Sequence, residues 1–193
     1  MSNKINPARA ALVLMDLQPA VLEHVPDPDA LMRAAHAAIR WARENSVVVV
    51  FVRVGFKPED YAAIPHHHKS FAQAKRDQLL AADDPRMQLE PSLDVRADDH
   101  AVRKTRYGSF STTHLHALLG DADVDTLVLG GVSTAGVVLS TVREAADKDY
   151  RMFVLADATA DQDAEVHRVL IDKVMPRQAE VITVDDLEDL VRT

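Results

Sequence analysis

Cysteine is absent from this sequence of 193 residues. Its absence excludes disulfides, thiolate metal sites and every reaction that needs a thiol nucleophile. Aromatic residues are scarce at 5%, although 47% of the residues are hydrophobic, so the core must be built mainly from Val, Leu, Ile and Ala. No apolar run approaches the roughly 20 residues of a membrane-spanning helix, and residues 1–7 have no apolar signal core. We therefore expect a cytoplasmic protein.

Positive charge is also in short supply, with 22 basic against 30 acidic residues and a formal net charge of −8. An acidic surface repels phosphate backbones and anionic lipids, so we expect no nucleic-acid partner and no membrane partner. A chain of this length is typical of one domain and can bury enough surface to fold without a disulfide or structural metal. We predict a single domain over residues 1–193 and a small molecule as its partner.

Short apolar runs alternate with amphipathic stretches along the chain. Such alternation predicts the α/β class, with right-handed βαβ units in a three-layer α/β/α arrangement. We expect a Rossmann-like parallel sheet of about six strands, covered by helices on both faces. The predicted strands are 10–16, 46–54, 102–104, 126–131, 151–156 and 179–183, and the predicted helices are 28–45, 112–120 (ending at Gly120), 134–148, 163–174 and 185–192.

Ligands of such sheets bind beyond the carboxyl ends of the strands, which directs attention to the residues that follow each strand. Asp16 is either the N-cap of a following helix or a buried acid whose raised pKa lets it hold a proton near neutrality. Lys104 is either a solvated surface charge or a cation that faces Asp16 and orients a substrate anion. The turn 130–134 is either an ordinary strand–helix connection or a cradle for an anion.

Several other polar groups invite a functional interpretation. The run His66-His67-His68 is better explained as a solvated loop or an interface than as a metal site, because consecutive side chains diverge. Asp157 and Asp161 are better explained as caps and loop acids than as a metal pair. The segment 55–100, rich in His, Pro and charge, is long for a connection and is a candidate lid or subunit contact.

Taken together, several ordered motifs resemble the isochorismatase-like (cysteine hydrolase) superfamily from about residue 10 to residue 183. The segment 12–18, reading LVLMDLQ, resembles the first strand with its acid/base Asp; 104–111, reading KTRYGSFS, resembles the lysine motif; and 127–134, reading LVLGGVST, resembles the strand and turn before the nucleophile. The resemblance continues over 143–161 and is weakest over 55–100. It implies the fold predicted above, a cis peptide between Val132 and Ser133, and a homo-oligomer, either a dimer or a tetramer.

Val137 stands where the resemblance places the nucleophilic cysteine, and valine cannot attack a carbonyl carbon. Covalent amide cleavage is therefore not expected. The superfamily also contains isochorismatases, which lack the cysteine and hydrolyse a vinyl ether after protonation by an acid. The resemblance then implies Asp16 as that acid and Lys104 as its partner. Two alternatives remain: a catalytically silent member that binds a small ligand or serves as an oligomer subunit, and a hydrolase with a different nucleophile, such as bound water activated by Asp16.

The resemblance also implies which residues surround the substrate. Arg103 or Arg106 would bind substrate carboxylates, and the spacing does not choose between them. Residues 53–57 lack the family's D-x-H metal pattern, so we expect no metal and no other cofactor. The expected substrate-binding residues are Gln18, Arg106, Tyr107, Val132, Ser133 and Thr134, around the catalytic positions Asp16, Lys104 and Val137.

Overall fold

A six-stranded sheet forms the centre of the molecule in the computed structural model, which describes residues 4–191. The strands are β1 (Ala10–Met15), β2 (Val48–Val54), β3 (His100–Lys104), β4 (Thr126–Val132), β5 (Arg151–Ala160) and β6 (Glu180–Ile182). All neighbouring strands are parallel, in the order β3-β2-β1-β4-β5-β6. This order is that of a Rossmann-like sheet, and the predicted α/β fold is confirmed.

The helices occupy the connections between these strands. They are α1 (Pro19–Leu22), α2 (Pro28–Glu44), α3 (Pro58–Ala62), α4 (Phe71–Asp77), α5 (Leu115–Asp121), α6 (Leu139–Ala146), α7 (Ala164–Val169) and α8 (Leu187–Val191). Turns of π-helix, Thr134–Val138 and Leu170–Val174, replace parts of the predicted helices 134–148 and 163–174. Within residues 4–191, no helix has both the length and the apolarity to cross a bilayer.

Two apolar layers sandwich the sheet, because successive strand side chains point to opposite faces. On one face Leu12, Leu14 and Phe51 pack with α2 and α8; on the other Val13, Val50 and Leu129 pack with α5 and α6. These strands are buried on both faces, which is why the sequence shows continuous apolar runs rather than alternation.

The strand and helix ends differ from the predictions at several places. The strand β3 begins two residues earlier than expected, at His100, and β5 continues to Ala160 rather than ending at residue 156. The extension of β5 follows a register shift between Leu129 and Gly131, after which Thr159 and Ala160 pair with the end of β4. The helix α5 does not end at Gly120, since it continues to Asp121 and Ala122 caps it.

The segment 55–100 contains more structure than a loop. Helices α3 and α4 enclose a small apolar cluster that includes Phe56, Tyr61 and Phe71. A single β-bridge joins Phe56 to Ala81, so the returning chain is tied to the end of β2. The segment therefore has its own packing and brings side chains back toward the carboxyl edge of the sheet.

Gly131 carries a backbone requirement that we expect to control stability. Its φ is +139°, a conformation that side-chain-bearing residues rarely adopt, and a Cβ there would overlap the Met15 carbonyl of the adjacent strand. Gly131→Ala is therefore expected to lower the free energy of unfolding by roughly 3–5 kcal/mol. In the control Gly120→Ala, a Cβ meets nothing within 4 Å, and a gain of at most about 1 kcal/mol is expected. Denaturant melts of both variants test this, and equal stabilities would contradict it.

Candidate active site

The candidate site lies at the switch point of the sheet, where the chain order reverses between the adjacent strands β1 and β4. Asp16 follows β1, Lys104 ends β3, and Ser133 follows β4. All three line one cavity of about 310 Å³. The structure therefore brings together the acid, the lysine and the turn that the sequence placed at three separate strand ends.

Asp16 turns out of β1 in a left-handed conformation, with φ of 55°, which aspartate tolerates better than most residues. Its backbone N–H still donates to the Val52 carbonyl at 2.8 Å, so the turn is anchored to the sheet. The side chain is buried, and its Oδ2 lies 2.7 Å from Nζ of Lys104. The other oxygen, Oδ1, is buried without a hydrogen-bond partner among the described residues. Asp16 is thus a buried acid and not a helix cap.

Burial raises the pKa of Asp16 above its ordinary value. The charge of Lys104, its hydrogen bond and a smaller contribution from the Val54 backbone only partly oppose this. The cause is that an ionised carboxylate loses its hydration here while one of its oxygens gains no donor. Lys104 is itself 2% exposed and also donates to the Arg106 carbonyl at 3.2 Å. A carboxyl held in this way keeps its proton to a higher pH than a solvated one and is suited to deliver it.

The turn after β4 carries Val137 into the cavity, where the side chain is 2% exposed. The Val132–Ser133 peptide is cis, which confirms that expectation. Three backbone amides that follow the turn 130–134 are engaged within the protein. Ala135 N–H donates to Asp161, and the N–H groups of residues 136 and 138 donate to Ser133. At these three amides the turn offers no vacant donor to an oxyanion.

Gln18 was expected to contact substrate, but the structure places it outside the cavity. Its side chain is fully buried and donates to the carbonyls of Val54 and Met87, while its Oε1 accepts from Val54 N–H at 3.0 Å. With these three bonds the amide ties β1, β2 and the 55–100 segment together. Gln18 therefore supports the site and does not face it.

Arg106 and Thr134 also lie away from the cavity lining, contrary to expectation. The Arg106 guanidinium donates to the Thr105 carbonyl at 2.6 Å and weakly to the Ala63 carbonyl. Thr134 is fully buried, and its hydroxyl bonds Nδ1 of His167 at 2.8 Å. Both side chains form hydrogen bonds within the protein that the strand and helix patterns of the sequence do not reveal.

Of the expected substrate-binding residues, Tyr107, Val132 and Ser133 do line the cavity. Further lining residues were not predicted from the sequence. They come from α1 and the residues after it, the end of β2, the segment 55–100, the turn after β4 and the residues after β5. The unusual length of the segment 55–100 was the only sign in the sequence that it contributes to the cavity wall, and no sequence pattern indicated which of its residues do so. The missed residues are Ala20, Val21, His24, Val54, Phe71, Leu80, Gly136 and Gln162.

The remaining candidates fall outside the site. His66 and His67 are exposed, while His68 accepts a hydrogen bond from Phe71 N–H and packs on its ring. Asp157 accepts from Val184 N–H, and Asp161 from Ala135 N–H, as expected of capping acids. Over residues 4–191, His, Asp and Glu side chains form no group of three that could hold a metal ion.

A family model described as the isochorismatase domain matches residues 10–186. This chain belongs to the isochorismatase family. The match includes the strand ends that supply Asp16, Lys104 and the turn before Val137.

Individual relatives of this isochorismatase-family chain are similar to it over most of their length. A protein named probable isochorismatase from Pseudomonas chlororaphis is 31% identical, with the alignment covering 95% of this chain and 86% of the relative. The phenazine biosynthesis protein PhzD of Pseudomonas fluorescens is also 31% identical over the same shares. Among solved structures, a cysteine hydrolase from Pseudomonas syringae pv. phaseolicola superposes with a TM-score of 0.88 at 25% identity, covering 97% of this chain and 94% of that one.

Proposed function

We propose that this isochorismatase-family protein hydrolyses a vinyl ether of a small anionic molecule without a cysteine nucleophile. One observation carries the proposal: a carboxyl, Asp16, is buried in the cavity with one oxygen unpartnered and its pKa raised. Such a group keeps its proton to a higher pH than a solvated carboxyl does, and proton donation is what vinyl-ether cleavage needs. The relative named probable isochorismatase supports this class of reaction.

In this reaction Asp16 first donates a proton and later accepts one. Its carboxyl protonates the terminal carbon of the enol ether, the double-bond electrons form the new C–H bond, and an oxocarbenium ion results. Water adds to that ion and returns a proton to Asp16. In the hemiketal the bond to the alcohol oxygen then breaks, the hydroxyl proton passes to that oxygen, and a ketone and an alcohol are released. Lys104, 2.7 Å away, holds the carboxylate formed in the first step and orients an anionic group of the substrate.

Two features disfavour acyl transfer at this site. Val137 supplies no nucleophile, although it lines the cavity where the family's cysteine belongs. The amides of Ala135 and Gly136 already donate within the protein and leave no vacant donor there for a tetrahedral oxyanion. Loss of the nucleophile also favours a second candidate, a family member that binds a small ligand without converting it.

The test is release of ketoacid from two vinyl ethers, isochorismate and α-phenoxyacrylate, with nicotinamide as an amide control. Hydrolysis of at least one vinyl ether, and none of the amide, is expected. Because only protonated Asp16 is active, kcat/KM should be level at low pH and fall tenfold per pH unit above the raised pKa of Asp16. A protein that hydrolyses neither ether across this pH range would overturn the proposal and leave the silent binding protein.

A further inference from the structure

One wall of the cavity is apolar and comes from the segment 55–100 and the end of β2. Val54, Phe71 and Leu80 form it, and the Phe71 ring lies 5.2 Å from that of Tyr107, a further lining residue. Leu80 has a φ of 61°, and its carbonyl accepts from Phe56 N–H at 2.8 Å. A leucine in a left-handed conformation is disfavoured, so the surrounding contacts must impose it. At a position that favours glycine, the chain places a large apolar side chain against the cavity.

The arginines nearest this wall are turned away from the cavity. Arg53 donates to the carbonyls of Ala82 and Met87, and Arg103 to the Gly55 carbonyl and to Asp60 at 2.5 Å. Arg106 is committed to the carbonyls named above. Lys104 is therefore the single buried cation among the described lining residues, and His24, which is exposed, is the other basic side chain there.

We propose that the cavity takes a ligand with one carboxylate and a flat apolar body, and that Leu80 is a specificity-determining residue for it. The carboxylate lies at Lys104, which is left without a counter-charge when Asp16 is protonated, as the proposed reaction requires. The body lies against Leu80, Phe71 and Val54. A second carboxylate would be pressed on this wall with no buried cation to meet it. The reaction rests on the proposed function, whereas the binding preference needs only that Asp16 is protonated when the ligand binds.

Calorimetric titration at slightly acidic pH with unreactive probes tests the preference. Cinnamate, with one carboxylate, is expected to bind at least about tenfold more tightly than isophthalate, with two, because an unpaired carboxylate against an apolar wall is costly. Cinnamyl alcohol, with none, should also bind at least about tenfold more weakly than cinnamate. Isophthalate binding as tightly as cinnamate would overturn the proposed ligand class.

Leu80→Gly tests the proposed role of Leu80 in a variant that we expect to remain folded. Glycine relieves the left-handed backbone, so the variant is expected to melt no lower than Leu79→Gly, a control at an exposed neighbour outside the cavity. Cinnamate binding should weaken roughly 10–100-fold in Leu80→Gly, from lost apolar contact, and stay unchanged in Leu79→Gly. Unchanged cinnamate binding in Leu80→Gly would remove Leu80 from the specificity wall.

The same probes separate this inference from the proposed function. Selective binding of cinnamate together with no hydrolysis of α-phenoxyacrylate would contradict the vinyl-ether reaction and support the ligand class. Hydrolysis of isochorismate at a higher kcat/KM than α-phenoxyacrylate would support the reaction and contradict the ligand class, because isochorismate carries two carboxylates.

Discussion

Replacing Asp16 by asparagine is expected to lower kcat/KM for vinyl-ether hydrolysis by roughly 10²–10⁴, the usual contribution of a positioned general acid. Asparagine keeps the shape of the side chain and can still accept a hydrogen bond from Lys104, but it has no proton to give. The loss should appear at every pH, and the fall of kcat/KM at high pH should vanish from the residual rate, since the titrating group is gone.

The matched control is Asp98→Asn, which removes an exposed carboxyl outside the cavity lining and should leave kcat/KM unchanged. Cinnamate binding distinguishes a lost proton donor from a damaged cavity. Asp16→Asn should still bind cinnamate, because Lys104 no longer faces a competing carboxylate. A variant that binds cinnamate and retains more than about a tenth of the wild-type rate would exclude Asp16 as the acid.

The sequence was sufficient to predict the sheet, and the family resemblance implied the pairing of Asp16 with Lys104 that the residues alone left as one of two alternatives. Buried parallel strands are continuous apolar runs, and their carboxyl ends share one edge of the sheet, so residues 88 positions apart in the chain become neighbours. The resemblance also placed Val137 at the site, and its side chain lines the cavity. These predictions depend on local periodicity and strand order, both of which are written in the sequence.

What the sequence could not supply were the long-range side-chain contacts. The sequence pattern placed Gln18 and Arg106 beside a ligand, but backbone carbonyl groups 69 and 43 positions away in the chain accept hydrogen bonds from them. Whether a side chain meets a carbonyl or a cavity depends on chain geometry tens of residues away. The wall residue Leu80 is the clearest case, since its direction is set by the contact of Phe56 with the returning chain.

Lys104→Met is expected to lower the free energy of unfolding by about 3–5 kcal/mol near neutral pH, the cost of leaving one member of a buried ion pair alone. Asp16 and Lys104 are 5% and 2% exposed, so water cannot replace the lost partner. Methionine fills a similar volume, and the loss is therefore electrostatic rather than a cavity effect. Urea melts of the wild type and the variant measure it, and a difference below about 1 kcal/mol would show that the pair is solvated.

The pH dependence and the double variant then identify the cause. Without Lys104 the folded-state pKa of Asp16 rises further above its unfolded value of about 3.9, because the two effects of Lys104 that lower it are lost. Because the folded-state pKa is raised, ionisation of Asp16 lowers the free energy of unfolding; this loss is complete above the folded-state pKa and absent below the unfolded value. The stability of Lys104→Met should therefore approach that of the wild type as the pH falls.

Asp16→Asn combined with Lys104→Met has no charge left to bury, so it should be more stable than Lys104→Met at neutral pH and lose this dependence. If the loss of stability in the double variant equals the sum of the losses in the two single variants and keeps the pH dependence, the destabilisation does not come from the unpaired charge of Asp16.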